Sequence, residues 1–163
     1  MAGTLKVKIE ENIILDNQDY SSKRTLEIGS IDEVYKRIVS CPANAETTVV
    51  HFKQVAGAAG GATKFDGALD IQDVRHIRVT NLDSSNSLTL SLQIEAGEDD
   101  TGADTSASIL LEAGKSFIMG SGHDGVGVFD TNANLVTDLV DLDSLVVQPG
   151  SNAINVEVFV ASV

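Results

Sequence analysis

Three histidines, one cysteine and two glycine-rich or acidic tracts are the parts of this 163-residue chain whose residue types could do chemistry. His51, His76 and His123 lie on separate segments, and only His123-Asp124 sets a histidine beside a carboxylate. Neighbours in a strand or turn point in different directions, so that pair is poor geometry for a general-base dyad. No nucleophile elbow supplies an attacking serine. Gly120-Ser121-Gly122-His123-Asp124-Gly125 matches the dinucleotide fingerprint G-x-G-x-x-G letter for letter. An extended run, Gly125 to Phe129, follows it where a helix N-terminus would have to receive the pyrophosphate. Gly114-Lys115-Ser116 has the ending of a phosphate loop, but position 109 is Ile109 where that loop needs glycine, so the backbone nest is missing and a β-turn is expected. The acidic run Glu98-Asp99-Asp100-Thr101-Gly102-Ala103-Asp104, within the stretch 97–104, could offer oxygens to calcium. Its spacing is not that of a helix-loop-helix site and no bidentate glutamate follows, so a solvated loop is expected. Cys41, the single cysteine, cannot form an internal disulfide and has no Cys/His cluster beside it. No catalytic, cofactor-binding or metal-ligating residue is assigned, and the chain is expected not to be an enzyme; a small cupin-like enzyme would need converging histidines and carboxylates.

The elements that would position such residues are strands. Leu5-Lys6-Val7-Lys8-Ile9 alternates with period two, placing its apolar residues on one face and its lysines on the other. After a polar turn at Asp16 to Asp19, Tyr20 to Ile28 reads as extended and Gly29-Ser30 closes it. Ile31 to Cys41 fits either a helix, with Ser30 and Glu33 as a capping box, or a β-branched strand whose faces are Val34-Lys36-Ile38 and Tyr35-Arg37-Val39; the strand is preferred. Pro42 then leads into the extended run Thr47 to Phe52. Ala56 to Thr63 is a Gly/Ala loop. Val74 to Asn81 and Ser87 to Glu95 read as a hairpin around the turn Asp83-Ser84-Ser85-Asn86. Ala107 to Glu112 and Lys115 to Met119 flank a tight Ala113-Gly114 turn. Leu135 to Leu142 has mixed periodicity, and Ala153 to Val160 is the most regular alternation, its even positions facing inward. Eight to ten short strands without an internal repeat predict an all-β single domain over residues 1–163, a two-sheet sandwich with the jelly roll as leading topology.

Composition narrows the core and the partners. Aromatics are 4% and Trp is absent, so Val, Ile, Leu and Ala must fill the interior. A glycan-stacking platform would have to use Tyr20 or Phe65. Residues 1–78 hold ten bases against eleven acids, a net charge of −1, while residues 79–163 hold one base, Lys115, against thirteen acids, a net charge of −12. Such a surface repels phosphate backbones and anionic headgroups, so neither nucleic acid nor membrane is expected as a partner. Met1 to Asn12 offers no continuous apolar run of a signal peptide, and synthesis in a host cytoplasm is expected. The aliphatic, charge-poor stretches Leu145 to Val147 and Ile154 to Val160 are candidate interface strands.

Three phrases carry a resemblance. They are Glu33-Val34-Tyr35-Lys36-Arg37-Ile38-Val39 followed by Pro42, then Ile77-Arg78-Val79-Thr80-Asn81-Leu82-Asp83 with Asn86, then Leu111-Glu112-Ala113-Gly114-Lys115-Ser116-Phe117. In that order the chain resembles small β-rich virion structural proteins of tailed, especially marine, bacteriophages. The resemblance implies a particle component without catalytic residues or cofactor: a capsid decoration (cement) protein on the capsid surface that binds the major capsid protein and assembles as a homotrimer. The alternative it implies is a neck, tail or fibre component with a receptor- or glycan-binding role.

Overall fold

The computed structural model describes residues 2–53, 69–94, 105–120, 127–128 and 140–163. Among them the chain forms fourteen strands and no helix: β1 (Gly3–Glu11), β2 (Ile14–Leu15), β3 (Gln18–Asp19), β4 (Ser22–Ile31), β5 (Glu33–Cys41), β6 (Thr47–Lys53), β7 (Leu69–Asp70), β8 (Val74–Asn81), β9 (Leu88–Ile94), β10 (Thr105–Leu111), β11 (Ser116–Met119), β12 (Gly127–Val128), β13 (Val140–Pro149) and β14 (Ile154–Ser162). The fold is an all-β sandwich. One sheet has the order β5-β14-β8-β11 and the other the order β7-β6-β13-β9-β10, with β12 added to β13. Every pairing is antiparallel except that of β6 with β7.

Period-two patterning makes the two sheets stick. In β9 the residues Leu88, Leu90, Leu92 and Ile94 are buried while Thr89, Ser91 and Gln93 are half-exposed. In β14 the even positions Ile154, Val156, Val158 and Val160 are buried, as the alternation predicts. These stripes meet Val74, Ile77 and Val79 of β8, Leu142, Leu145 and Val147 of β13, and Val49, Val50 and Phe52 of β6 in one core cluster that spans both sheets. Among the described residues Phe52 is the one aromatic in the set of largest fully buried side chains, so the core they form is mostly aliphatic. Each such side chain withdrawn from water contributes on the order of 1.5–3 kcal/mol before chain entropy is counted.

Three expectations are corrected by the pairing, and the strand preferred for Ile31 to Cys41 is found. Ile31 to Cys41 contains no helix; β5 pairs with β14 over its whole length, from Glu33 opposite Ser162 to Cys41 opposite Ile154. The segments Val74 to Asn81 and Ser87 to Glu95 are not a hairpin: β8 belongs to one sheet and β9 to the other. The Ala113-Gly114 turn likewise carries the chain across the sandwich, because β10 pairs with β9 and β11 with β8. Alternation fixes which face a residue takes and leaves the choice of neighbour open, so a turn between two strands reads the same whether it stays in a sheet or leaves it. Finally, Leu145 to Val147 and Ile154 to Val160 are not interface strands. β13 and β14 are each paired on both sides, and their inward residues are core. The segments 56–63, most of 125–129 and 135–139 lie outside the described residues.

The crossings are sewn together by a buried side chain. Asn81, at the end of β8, is fully buried. Its Nδ2 donates to the carbonyls of Asn86 at 2.9 Å and of Leu111 and Glu112 at 3.2 Å each, and its Oδ1 accepts from the backbone N–H of Asp83 at 2.9 Å. One amide therefore ties the β8–β9 crossing to the β10–β11 crossing. Asp83 continues the network by accepting from the N–H groups of Ser85 and Asn86, which hold its carboxyl below the usual range. Replacing Asn81 with Leu leaves three carbonyls at the crossings without this donor and is expected to lower unfolding free energy by about 2–4 kcal/mol. Denaturant unfolding followed by circular dichroism checks this, with Ser84→Ala at the exposed turn unchanged.

Candidate interaction surface

Residues 3–31 do not join either sheet of the sandwich. β1 and β4 pair with each other from Gly3 opposite Ile31 to Glu11 opposite Ser22, forming a two-stranded sheet of their own. β2 and β3 extend the ribbon to its tip. The tip turns through Asp16 and Asn17, both left-handed with φ of 50° and 62°. Two consecutive left-handed residues close a two-residue hairpin, and Asp and Asn tolerate that conformation better than other side chains. At the root the chain passes from β4 into β5 across Asp32, whose N–H donates to the Ser162 carbonyl at 3.1 Å. There Gly29 and Ser30 stand opposite the single residue Thr4, and Ser30 has a φ of 61°. That bulge bends the arm away from the strand it continues into.

The arm is amphipathic. One face carries the cross-strand ion pairs Lys6–Glu27 at 2.5 Å and Lys23–Glu10 at 3.4 Å, both exposed and so worth little stability. The other carries Leu5, Val7 and Ile9 opposite Ile28, Leu26 and Arg24. At the root this stripe has a seat: Ile28 and Ile31 are buried with Ala161, and Leu5, Phe159 and Val163 pack against them. Towards the tip it has none among the described residues. Ile9 is 50% exposed, Leu26 46% and Ile14 75%, with Ile13, Leu15 and Tyr20 also open. A two-stranded ribbon buries too little to be stable alone in water, and scattered apolar exposure is ordinary while a run of it on one element is not.

The sandwich offers two contrasting outer faces. On the β5-β14-β8-β11 sheet, half-buried Glu157 pairs with Arg78 and, at 3.5 Å, with Lys36, while the Arg78 guanidinium lies 5.8 Å from the centre of the Phe159 ring. Val34, Ile38 and Ile118 are exposed around that cluster. On the other sheet Thr89, Ser91 and Gln93 stand beside Leu110, Ser108 and Ser106, an uncharged surface closed by a Ser91–Ser108 hydroxyl contact of 2.6 Å. Leu110, 66% exposed, separates two shallow open grooves. One, of about 340 Å3, runs past Thr89, Gln148 and Asn44; the other, of about 380 Å3, lies between β10 and β11 and is lined by Ile109, Leu111, Glu112, Lys115 and Phe117.

The residues singled out for chemistry are dispersed. His51 faces Asp143 with its Nδ1 3.7 Å from a carboxylate oxygen, a neighbourly distance beyond hydrogen bonding that no sequence spacing announced. His76 is buried against the edge of the Phe159 ring; burial, and then the Arg78 charge, lower its pKa below 6.5. Burial pushes the Cys41 thiol up, against a smaller opposing hydrogen bond to Thr47. Gly120, first glycine of the fingerprint-like motif, has a packing reason: a Cβ there would strike the Arg75 carbonyl oxygen and approach His76 Cα to 3.1 Å. Gly114 turns at a φ of 69°, and Lys115 N–H closes that turn on the Glu112 carbonyl at 3.2 Å. Tyr20 is exposed near the arm tip. The acidic run 97–104, His123-Asp124 and Phe65 lie outside the described residues. Among the described residues no three His, Cys, Asp or Glu side chains converge as a metal site requires, and no helix is long and apolar enough to cross a membrane.

No family model, curated protein or solved structure matches the chain.

Because folding lowers the pKa of His76, the unfolded chain takes up a proton near pH 6.5 that the native chain refuses until lower pH. Stability is therefore highest above that value and falls as pH drops from 6.5 towards the native pKa. His76→Gln should flatten this limb of the curve, which denaturant titrations between pH 8 and pH 5 would measure. An unchanged slope would remove His76 as its source.

Proposed function

We propose that the chain is a non-enzymatic structural subunit of a tailed-phage particle, a capsid decoration protein that works as a symmetric oligomer by packing against major capsid subunits. The observation that carries this reading is the arm: residues 3–31 form a ribbon whose apolar stripe continues beyond its seat on the sandwich into open solvent. A chain that orders so many residues without burying them in its own core gains their packing from another subunit. The strand orders β5-β14-β8-β11 and β6-β13-β9-β10, with each of β5–β6, β8–β9, β10–β11 and β13–β14 crossing between sheets, support reading the sandwich as a jelly roll, an architecture used by capsid domains. The motif resemblance in β5, β8 and the β10–β11 crossing points the same way.

A neck, tail or fibre position with a receptor contact is the second reading, and exposed Tyr20 beside the arm tip is what favours it. The two separate in purified particles. Antibody raised against the recombinant chain, followed by gold labelling and imaging, is expected to mark heads, in copy numbers that protein quantification places on the scale of the major capsid protein. Labelling of tails alone sinks the decoration reading, and absence from particles sinks both.

A further inference from the structure

The arm leaves the sandwich from β5, at one edge of its sheet, while the β10–β11 groove opens at the opposite edge, three strand spacings or about 14 Å away. We propose that the distal arm of one copy seats on a second copy of this chain, laying the Val7, Ile9 and Leu26 stripe along the groove beside Leu110. This rests on the assembly reading above and names its partner surface.

Three observations select a second copy as the occupant. First, the stripe is continuous with a contact the chain already makes: its root, Leu5 and Ile28, covers Phe159 and Ala161 on the outer face of a sheet, so the same face is chemically suited to this same sandwich. Second, charge favours unlike ends. Arg24, set within the stripe, and Lys8 behind it have no ion-pair partner among the described residues. Glu112 borders the groove and likewise has no ion-pair partner among the described residues, with Lys115 beside it. An unpaired arm base seated there would face that acid. Third, the sizes match. A nine-residue strand spans about 30 Å, so a ribbon of this length and its tip present surface of the order of the roughly 800 Å2 that each partner gives up in a stable complex. The groove supplies what such a ribbon needs: apolar Ile109, Leu111 and Phe117 in its lining, exposed Leu110 at its border, and two strands, β10 and β11, each paired on one side only among the described residues.

Arm and groove are different surfaces at opposite edges, so the contact is head to tail. Repetition of a head-to-tail contact gives a closed ring when its rotation closes, and the trimer is the smallest such ring beyond a pair.

Sedimentation and native mass spectrometry of the full chain at micromolar concentration test this with two variants at exposed positions. Ile9→Glu/Leu26→Glu alters the arm and Leu110→Glu the groove; unchanged circular dichroism and thermal midpoints show that both fold. Wild type is expected to be oligomeric, and each variant alone monomeric, with self-association weakened about 100-fold or more by a charge buried without partner. Mixing the two variants should give a mixed dimer, because one intact arm then meets one intact groove. A monomeric wild type, an arm or groove variant that keeps its oligomer, or a mixture that fails to pair overturns the proposal. So does an arm variant that stays oligomeric but no longer binds particles, which would put the arm on a capsid partner. Failure here leaves the particle localisation test standing, and failure there leaves a chain that still self-associates through its arm.

Discussion

The structure depends on keeping one aliphatic layer dry between two sheets whose strands repeatedly change sheet. Among the described residues Phe52 is the one aromatic in the set of largest fully buried side chains, and many Val, Ile and Leu residues must each be placed on the correct face. Every crossing exposes backbone groups at the rim of that layer. Where two crossings meet, buried Asn81 shares its two amide hydrogens among three carbonyls and accepts from one N–H, which is the geometry an apolar residue could not supply. The polar network around Asn81, Asp83 and Asn86 is thus part of the core.

Against that dry layer the arm is the exception. It is held at its root by a small cluster of Ile28, Ile31 and Ala161, is bent by the Gly29-Ser30 bulge, and is closed at its tip by two left-handed residues. Each device shapes the ribbon without covering it. Its ion-paired face suits water, and its Val7, Ile9 and Leu26 face suits a protein surface, so the ribbon is built to lie on something. The uncharged Ser/Thr surface of β9 and β10 on one sheet and the Glu157–Arg78–Lys36 cluster on the other show that these two outer surfaces differ in chemistry as well. A subunit with unlike faces, unlike edges and a protruding ribbon has the directional contacts that ordered assembly needs.

Strand existence was legible because period-two alternation reports a half-buried surface directly, and the inward positions of β9 and β14 follow it residue by residue. The helical alternative for residues 31–41 arose because Ile31, Val34, Tyr35, Ile38 and Val39 satisfy both periods over a short run; pairing of β5 with β14 settled it. The arm was half legible. Leu5 to Ile9 reads as a strand with a lysine face, but its partner, and its separation from the sandwich, leave no mark in local pattern. Gly120 was read as part of a nucleotide-like motif, where the close approach of the β8 backbone explains it.

Alone, the amino-acid sequence determined an all-β chain with an aliphatic interior, its inward faces, its turn positions and the uneven placement of its charge, since each follows from side-chain chemistry at short range. Tertiary structure decided which strands are neighbours, that β5–β6, β8–β9, β10–β11 and β13–β14 straddle the sandwich, that β13 and β14 are central, and that residues 3–31 stand apart. Those outcomes turn on backbone hydrogen bonds, which every residue type except proline can make alike, and on contacts between segments far apart in the chain.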